Sequence, residues 1–336
     1  MNTGSPGSPG YEAARHSAAF FAGRDRRVVE IAGPRALQIV NGLVTNTISG
    51  IPEGRVRYAF MLDPKGRPVV DLRLLPLPPG AGGPDEEGVW LDIPAAGLDA
   101  LTRHLQKYVP PIFATVRNPD VAVASFIGPR ALDATRIALA ALGRRADPRV
   151  EALGSLQAGG IGHGGLCARR EQLELEGFDL YLPATEAEAA GGGLADAAEA
   201  VGGAEGTRND WETLRIEGGL PAYGSEITPD RLAQEAGQDA RAISYEKGCF
   251  TGQEVVARIH YRGHVNRHLR GLRAPDPELL DADELFHGER PVATVHSRTV
   301  SPRFGPIAVG YVRREVEPGT LLAREIGAEP SIEVID

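Results

Sequence analysis

The chain reads as an α+β protein, with a body of several packed subdomains over residues 11–260 and a small C-terminal β-barrel domain over residues 265–336. Three observations lead there. Strand-like and helix-like runs alternate three times in the first half of the chain. From about residue 271 the helical spacing stops, and short apolar runs such as PVATVHS, PIAVGYV and GTLLA follow at turn-separated intervals. With 336 residues, 42% hydrophobic and 24% charged, the chain can bury a substantial core in more than one domain.

The opening MNTGSPGSPG has no basic region and no apolar core, which excludes a secretory signal and predicts a disordered tail over residues 1–10. RRVVEIAG is a strand, and GPRALQIVNGLV a helix, with Leu37, Val40 and Val44 at helical spacing and Pro34 in its first turn. VRYAFMLD and GRPVVDLRLL alternate about Asp63-Pro64-Lys65-Gly66, a hairpin turn. PLPPGAGGPDEEG is a surface loop. LDIPAAGLDALTRHLQKYV repeats strand then helix, with Leu98, Leu101, Leu105 and Tyr108 on one face, and VAVASFIG with GPRALDATRIALAALG repeats it again. Two of these helices open on the same phrase, GPRAL, the mark of an internal structural repeat. Residues 183–206 read as a helix broken at the glycines 191–193, or as a linker, and GGIGHGG at 159–165 as a turn.

A formal charge of −9 argues against a general nucleic-acid binder, because phosphate binding needs clustered cations. No run approaches the roughly 18 apolar residues of a membrane span. Two cysteines cannot build a disulfide framework or a four-thiolate metal site, and a reducing, cytoplasmic location follows as the expectation. Cys167 lies in a strand-like run and reads as a packing residue. Residues 241–273 hold seven Lys/Arg against two acids. Such a stripe suits one anionic partner, or is a solvated face paired to acids elsewhere.

Cys249 opens the segment KGCFTGQEVVARIHYRGHVNRHLR. Thr251 with Glu254 three residues later forms a capping box, which predicts a helix start there and places Cys249 before its N-terminus. Unpaired N–H groups and the charge of Lys247 then favour a thiolate. The plain alternative is a small buried residue at a strand-to-helix turn. His260 and His264 share a helical spacing, but Gly263 ends the helix between them and no fourth ligand is apparent, so no metal site is expected.

K-G-C-[aromatic]-x-G-Q-E, running into V-x-R, is the signature of the YgfZ-like folate-binding proteins. The sequence resembles them at Lys247, Gly248, Cys249, Phe250, Gly252, Gln253 and Glu254, with Arg258 and Arg262 following. The rest of the chain resembles the wider aminomethyltransferase superfamily, that of the glycine cleavage T protein. The resemblance is carried by Asn46 in VTNTI, Gly66 and Asp71 in MLDPKGRPVVDL, and Arg169, Gly177 and Tyr181 in CARREQLELEGFDLYLP. It continues through Arg215, Glu217, Gly219, Pro221, Tyr223 and Glu226 in WETLRIEGGLPAYGSEI. Two departures stand out: Thr47 where an aspartate is usual, and Val70-Asp71 where the T proteins carry two acids.

The resemblance implies a T-protein type of folate-binding body and a cofactor that is tetrahydrofolate or a one-carbon derivative of it. Glu217, Asn46, Tyr223, Arg258 and Arg169 would bind it, and Cys249, Lys247 and Asp71 would carry chemistry. A pterin edge presents adjacent N–H donors that one carboxylate accepts in bidentate fashion, the role expected of Glu217, while Tyr223 supplies a ring for stacking. The structural alternative pairs Glu217 with Arg215 or Arg231. Two functions follow. One is a folate-binding accessory protein in iron–sulfur cluster assembly or repair, indirectly supporting tRNA-modifying cluster enzymes. Its functional thiol is Cys249, and its partners are iron–sulfur proteins or their assembly factors. The other is a tetrahydrofolate-dependent aminomethyltransferase using Asp71. A folate-binding scaffold with an inert thiol is the third and plainest reading.

Overall fold

The computed structural model describes residues 7–22, 25–48, 56–77, 87–144, 158–160, 165–172 and 175–336. Two sheets form the body. In the first, the order is β11 (Ala204–Glu205), β1 (Ala19–Phe21), β7 (Val121–Ile127), β10 (Leu175–Pro183), β9 (Leu166–Gln172) and β8 (Ala158–Gly160). In the second it is β3 (Arg57–Leu62), β4 (Pro68–Pro76), β5 (Glu87–Pro94), β2 (Arg26–Gly33) and β6 (Thr115–Arg117). The expected hairpin at Asp63-Pro64-Lys65-Gly66 joins β3 to β4, with Gly66 at φ 76°.

Each sheet is covered by its own helices. α2 (Ala36–Leu43) and α3 (Leu98–Tyr108) bury Val40, Leu101 and Leu105 against Ile31, Leu72 and Leu91. α4 (Ala131–Ala141) and α6 (Gly191–Glu199) bury Leu139 and Leu194 against Phe20, Phe126 and Leu180. The shared GPRAL phrase thus marks a repeated unit, a strand ending in glycine followed by a helix. Gly33 (φ 149°) and Gly128 (φ 131°) sit at equivalent corners, and a Cβ would meet the Phe113 carbonyl at 2.6 Å in one and the Ser17 carbonyl at 2.5 Å in the other. Only glycine turns the chain that closely. The opposite faces of the two sheets meet through Val28, Leu75, Trp90, Val123 and Tyr181.

Within that seam lies a buried ionic cluster. Arg73 of β4 bridges Asp92 of β5 and Asp179 of β10, while Arg26 holds Asp92 at 2.5 Å, Tyr181 donates to Asp92 at 2.6 Å and Ser125 to Asp179 at 2.5 Å. Both carboxylates are fully buried.

The C-terminal sheet has the order β13 (Glu284–His287), β14 (Arg290–Ser301), β15 (Gly305–Arg313), β12 (Arg267–Arg273), β17 (Ile332–Ile335), β16 (Leu321–Leu322). A bridge between Phe286 and Ala323 brings the two ends together, so the sheet is a nearly closed barrel around Leu272, Leu285, Val292 and Leu322. Closure leaves little free edge. The mixed α+β architecture and the terminal barrel are as the sequence predicts.

Several expectations change. Pro9 and Gly10, expected in the disordered tail, belong to α1 (Pro9–His16): the Ser8 side chain accepts from the Tyr11 N–H, and Tyr11, Ala13 and Ala14 are buried. Gly159 and Gly160 belong to β8 rather than to a turn, and residues 161–164 of that motif, like most of the proline-rich loop, lie outside the described residues. The Ala- and Gly-rich segment is two helices, α5 (Ala184–Ala189) and α6, parted at Ala190. Cys167 is fully buried in the first core, and burial beside Asp179 pushes its thiol well above the usual range.

Candidate functional site

A cavity of about 320 Å³ opens where the two body sheets meet α7 (Arg208–Glu217). This lies within the ordinary range for small-molecule sites. Sheet residues supply one side: Tyr58 of β3, Asp71 and Arg73 of β4, Arg26 of β2 and Phe21 at the end of β1. The other side comes from α7, whose Thr207–Asp210 capping box fixes its start, through Arg208, Trp211, Glu212 and Arg215. The turn that follows adds Leu220, Pro221 and Tyr223. Phe21 and Trp211 meet edge to face at 5.6 Å, giving the cavity an aromatic wall.

Asp71 brings an uncommitted carboxylate oxygen to the lining of this cavity. It is 7% exposed; Oδ2 accepts a hydrogen bond from the Tyr58 hydroxyl at 3.0 Å, and Oδ1 is buried without a partner. Burial raises the carboxyl above its ordinary value, opposed by the charge of Arg26, the Tyr58 bond and the charge of Arg241. A buried carboxylate oxygen lacking a donor costs about 1–3 kcal/mol, which a ligand N–H would recover. Tyr223 is raised as well, by burial first and then by the charge of Asp71, so its phenol stays a donor at neutral pH.

The other residues singled out by the sequence are not gathered here. Glu217, expected to reach into the pocket, lies on the opposite side of α7. Its carboxylate accepts from Tyr11 at 2.6 Å and is held by Arg15 and Ser301, pinning α1 and the barrel to the body. It therefore pairs with neither Arg215 nor Arg231. The acid that lines the cavity from this helix is Glu212, five residues earlier, bound by Arg215 at 2.7 and 3.0 Å. Asn46 spends its amide on the carbonyls of Tyr58 (3.0 Å) and Arg241 (2.8 Å), a structural tie behind the cavity. Arg169 pairs with Glu176 across β9 and β10, and Arg258 is exposed on α9 (Gln253–Arg262); neither lines the cavity.

Cys249 is exposed, as an accessible thiol requires, but is not among the cavity's lining residues. Helix α9 follows it as expected and ends at Gly263, yet the Thr251 capping box does not form. The N-cap is Gly252 at φ 83°, where a Cβ would meet the Asp63 carbonyl at 2.6 Å. Packing against the β3–β4 hairpin, not a side-chain cap, starts this helix. Lys247 does not turn its charge to the thiol. Its ammonium donates to the carbonyls of Asn41 (2.6 Å), Val44 (2.7 Å) and Asn46 (2.8 Å), which uses all three of its N–H groups. Burial pushes it down to about 8, while the carbonyl tripod favours the charged form at neutral pH. Lys247→Met is expected to cost about 2–4 kcal/mol by stranding those carbonyls, seen as a lower urea midpoint at unchanged m-value. In the native protein a thiol reagent should titrate one cysteine, Cys249, and reach Cys167 only on unfolding. Prompt modification of both would contradict the buried position of Cys167.

The basic stripe resolves into unrelated roles. Arg241 lies over the Tyr58 ring at 4.2 Å, Lys247 clamps carbonyls, Arg270 pairs with Asp336 and Arg273 with Glu333 at 2.5 Å. His260 stacks on Tyr245 at 3.6 Å, and among the described residues no group of three or more His, Cys, Asp or Glu is placed to hold a metal ion. Sequence reasoning missed Tyr58, Arg26, Glu212 and Arg241 as cavity residues. Glu212 lies inside the WETLRI segment, and its spacing of about one helical turn from Arg208 and from Arg215 is the sequence signal that marks it.

A family model described as the GCVT N-terminal domain matches residues 9–247. The chain belongs to the GCVT family. An aminomethyltransferase of Moorella thermoacetica is 30% identical over 311 residues, covering 88% of this chain and 78% of the relative. One from Bacillus subtilis is 26% identical over 94% of this chain and 85% of its own length. A solved structure, the glycine cleavage system aminomethyltransferase T from Bartonella henselae, superposes with a TM-score of 0.83 at 22% identity, over 97% of this chain and 87% of that one. This GCVT-family chain therefore shares the T-protein fold through its C-terminal barrel. No helix among the described residues is long and apolar enough to cross a membrane.

Proposed function

We propose that the central cavity binds a tetrahydrofolate and that the protein is a folate-dependent aminomethyltransferase in which Asp71 is the acid–base group. The observation that carries this reading is the free Oδ1 of Asp71, buried in a cavity of ligand size on a fold shared with proteins named aminomethyltransferases. The residues suit a reduced pterin. Asp71 Oδ1 and Glu212 offer acceptors for N–H groups, Tyr223 and Trp211 offer rings, and Arg208 and Arg241 offer charge to the acidic end of a folate. A tetrahydrofolate supplies the nitrogen that takes up a one-carbon unit. Asp71 would hold or release the proton of a nitrogen at that place, favoured by a carboxyl already raised by burial.

The test is a tetrahydrofolate titration followed by measurement of methylenetetrahydrofolate formed from an aminomethyl donor. Saturable binding with turnover is expected. Saturable binding without turnover on any aminomethyl donor would remove the transferase and leave a folate-binding protein.

A second reading has its own support. The KGCFTGQE resemblance and the exposure of Cys249 favour the accessory role in iron–sulfur cluster assembly or repair, with the thiol acting at the surface rather than at the folate. Under it, cells carrying Cys249→Ala lose the activity of iron–sulfur enzymes while folate binding is intact. Unchanged activity of those enzymes in such cells would exclude it.

A further inference from the structure

The wall of the cavity behind Asp71 has its own internal order. The Tyr58 hydroxyl donates to Asp71 Oδ2 at 3.0 Å, and the other carboxylate oxygen has no protein partner. Tyr58 is itself fixed. Its ring is 6% exposed, packs edge to face on Phe60 at 5.8 Å and carries the Arg241 guanidinium 4.2 Å from its centroid. Arg241 in turn is held by Gln238 at 2.5 Å, and its carbonyl by Asn46 at 2.8 Å. Directed contacts thus join β3, β4 and α8 (Asp239–Ala242), and they end at a cavity-lining carboxylate, Asp71, whose Oδ1 has no protein partner.

We infer that Tyr58 is a positioning residue for Asp71. It occupies Oδ2, locks the carboxylate plane against β3 and leaves Oδ1 as the atom that meets the ligand, with Arg241 holding the ring in place. This rests on the proposed role of Asp71 and adds a residue to it. Because Tyr58 donates to the ionised carboxylate, it also favours that form, as do the charges of Arg26 and Arg241; Tyr223 faces the same carboxylate and feels its charge.

Tyr58→Phe keeps the ring and its cation contact and deletes only the hydroxyl. The expected result is an upward shift of the Asp71 carboxyl titration, followed by carbon NMR of labelled aspartate and assigned with Asp71→Asn. The acid limb of the kcat/KM profile should move to higher pH with it, and kcat should fall about tenfold while KM for tetrahydrofolate changes less than threefold. Arg241→Met should shift the titration in the same direction. A purely structural Tyr58 would lower stability without moving either the titration or the pH limb, and that outcome overturns the inference. The NMR titration needs no folate. A shifted carboxyl in a protein that turns nothing over supports the Tyr58–Asp71 coupling and counts against the transferase reading alone.

Discussion

Asp71→Asn is expected to abolish most one-carbon turnover, by a hundredfold or more in kcat, without unfolding the protein. The amide can still accept from the Tyr58 hydroxyl, so the 3.0 Å contact has a replacement, but it cannot take up a proton at the cavity. Stability should move the other way. A carboxyl raised by burial binds more protons folded than unfolded, so its contribution to stability is present at low pH and is lost as pH rises through the folded value. The asparagine variant should therefore match the parent near pH 4 and become relatively more stable toward pH 7. Urea midpoints measured across that range check the sign. A variant that loses relative stability as pH rises would mean that Asp71 is paired in the folded protein, against the unpartnered Oδ1.

Arg73→Met should be the most damaging single change to the fold, at about 3–5 kcal/mol. Asp92 and Asp179 are both fully buried, and Arg73 is the cation that joins them across the two body sheets. Asp92 keeps Arg26 and Tyr181, whereas Asp179 keeps the Ser125 hydroxyl but loses the ion pair with Arg73 that offsets its burial. Against a total stability of about 5–15 kcal/mol, such a loss is a large fraction. Arg73→Lys should recover only part of it, since a point charge cannot fork between two carboxylates. Adding Asp179→Asn to Arg73→Met should restore part of that stability by removing a buried charge that has lost its pairing with Arg73, measured as a higher urea midpoint than that of the single variant. No such recovery would mean that packing, not charge, is what Arg73 contributes.

The helix over α2, the Asp63–Gly66 hairpin, the Cys167 strand, the break near residue 190 and the change to β structure after α9 were all legible, because each depends on local spacing or turn chemistry. The site was legible in part. Asp71 and Tyr223 do line the cavity, while Glu217, Asn46, Lys247, Cys249, Arg169 and Arg258 do not. Glu217 illustrates why. Its neighbours in sequence say that it sits at the end of a helix, but which face of that helix meets the cavity depends on where α1 and β14 dock. Tyr11, Arg15 and Ser301 come from those two elements, at opposite ends of the chain. Lys247 is similar: its charge suggested a thiol, and its three carbonyl partners lie about 200 residues earlier.

The sequence alone determined the order of elements, the repeated strand–glycine–helix unit, the placement of Cys249 just before a helix and the family resemblance, because those follow from nearest-neighbour sterics and from patterns written along the chain. Only the tertiary structure decided which polar groups are satisfied by one another and which are left over. Hydrogen bonds and ion pairs inside a protein join residues far apart in sequence, and the unpartnered Oδ1 of Asp71 is visible as unspent only when the donors around it have been placed.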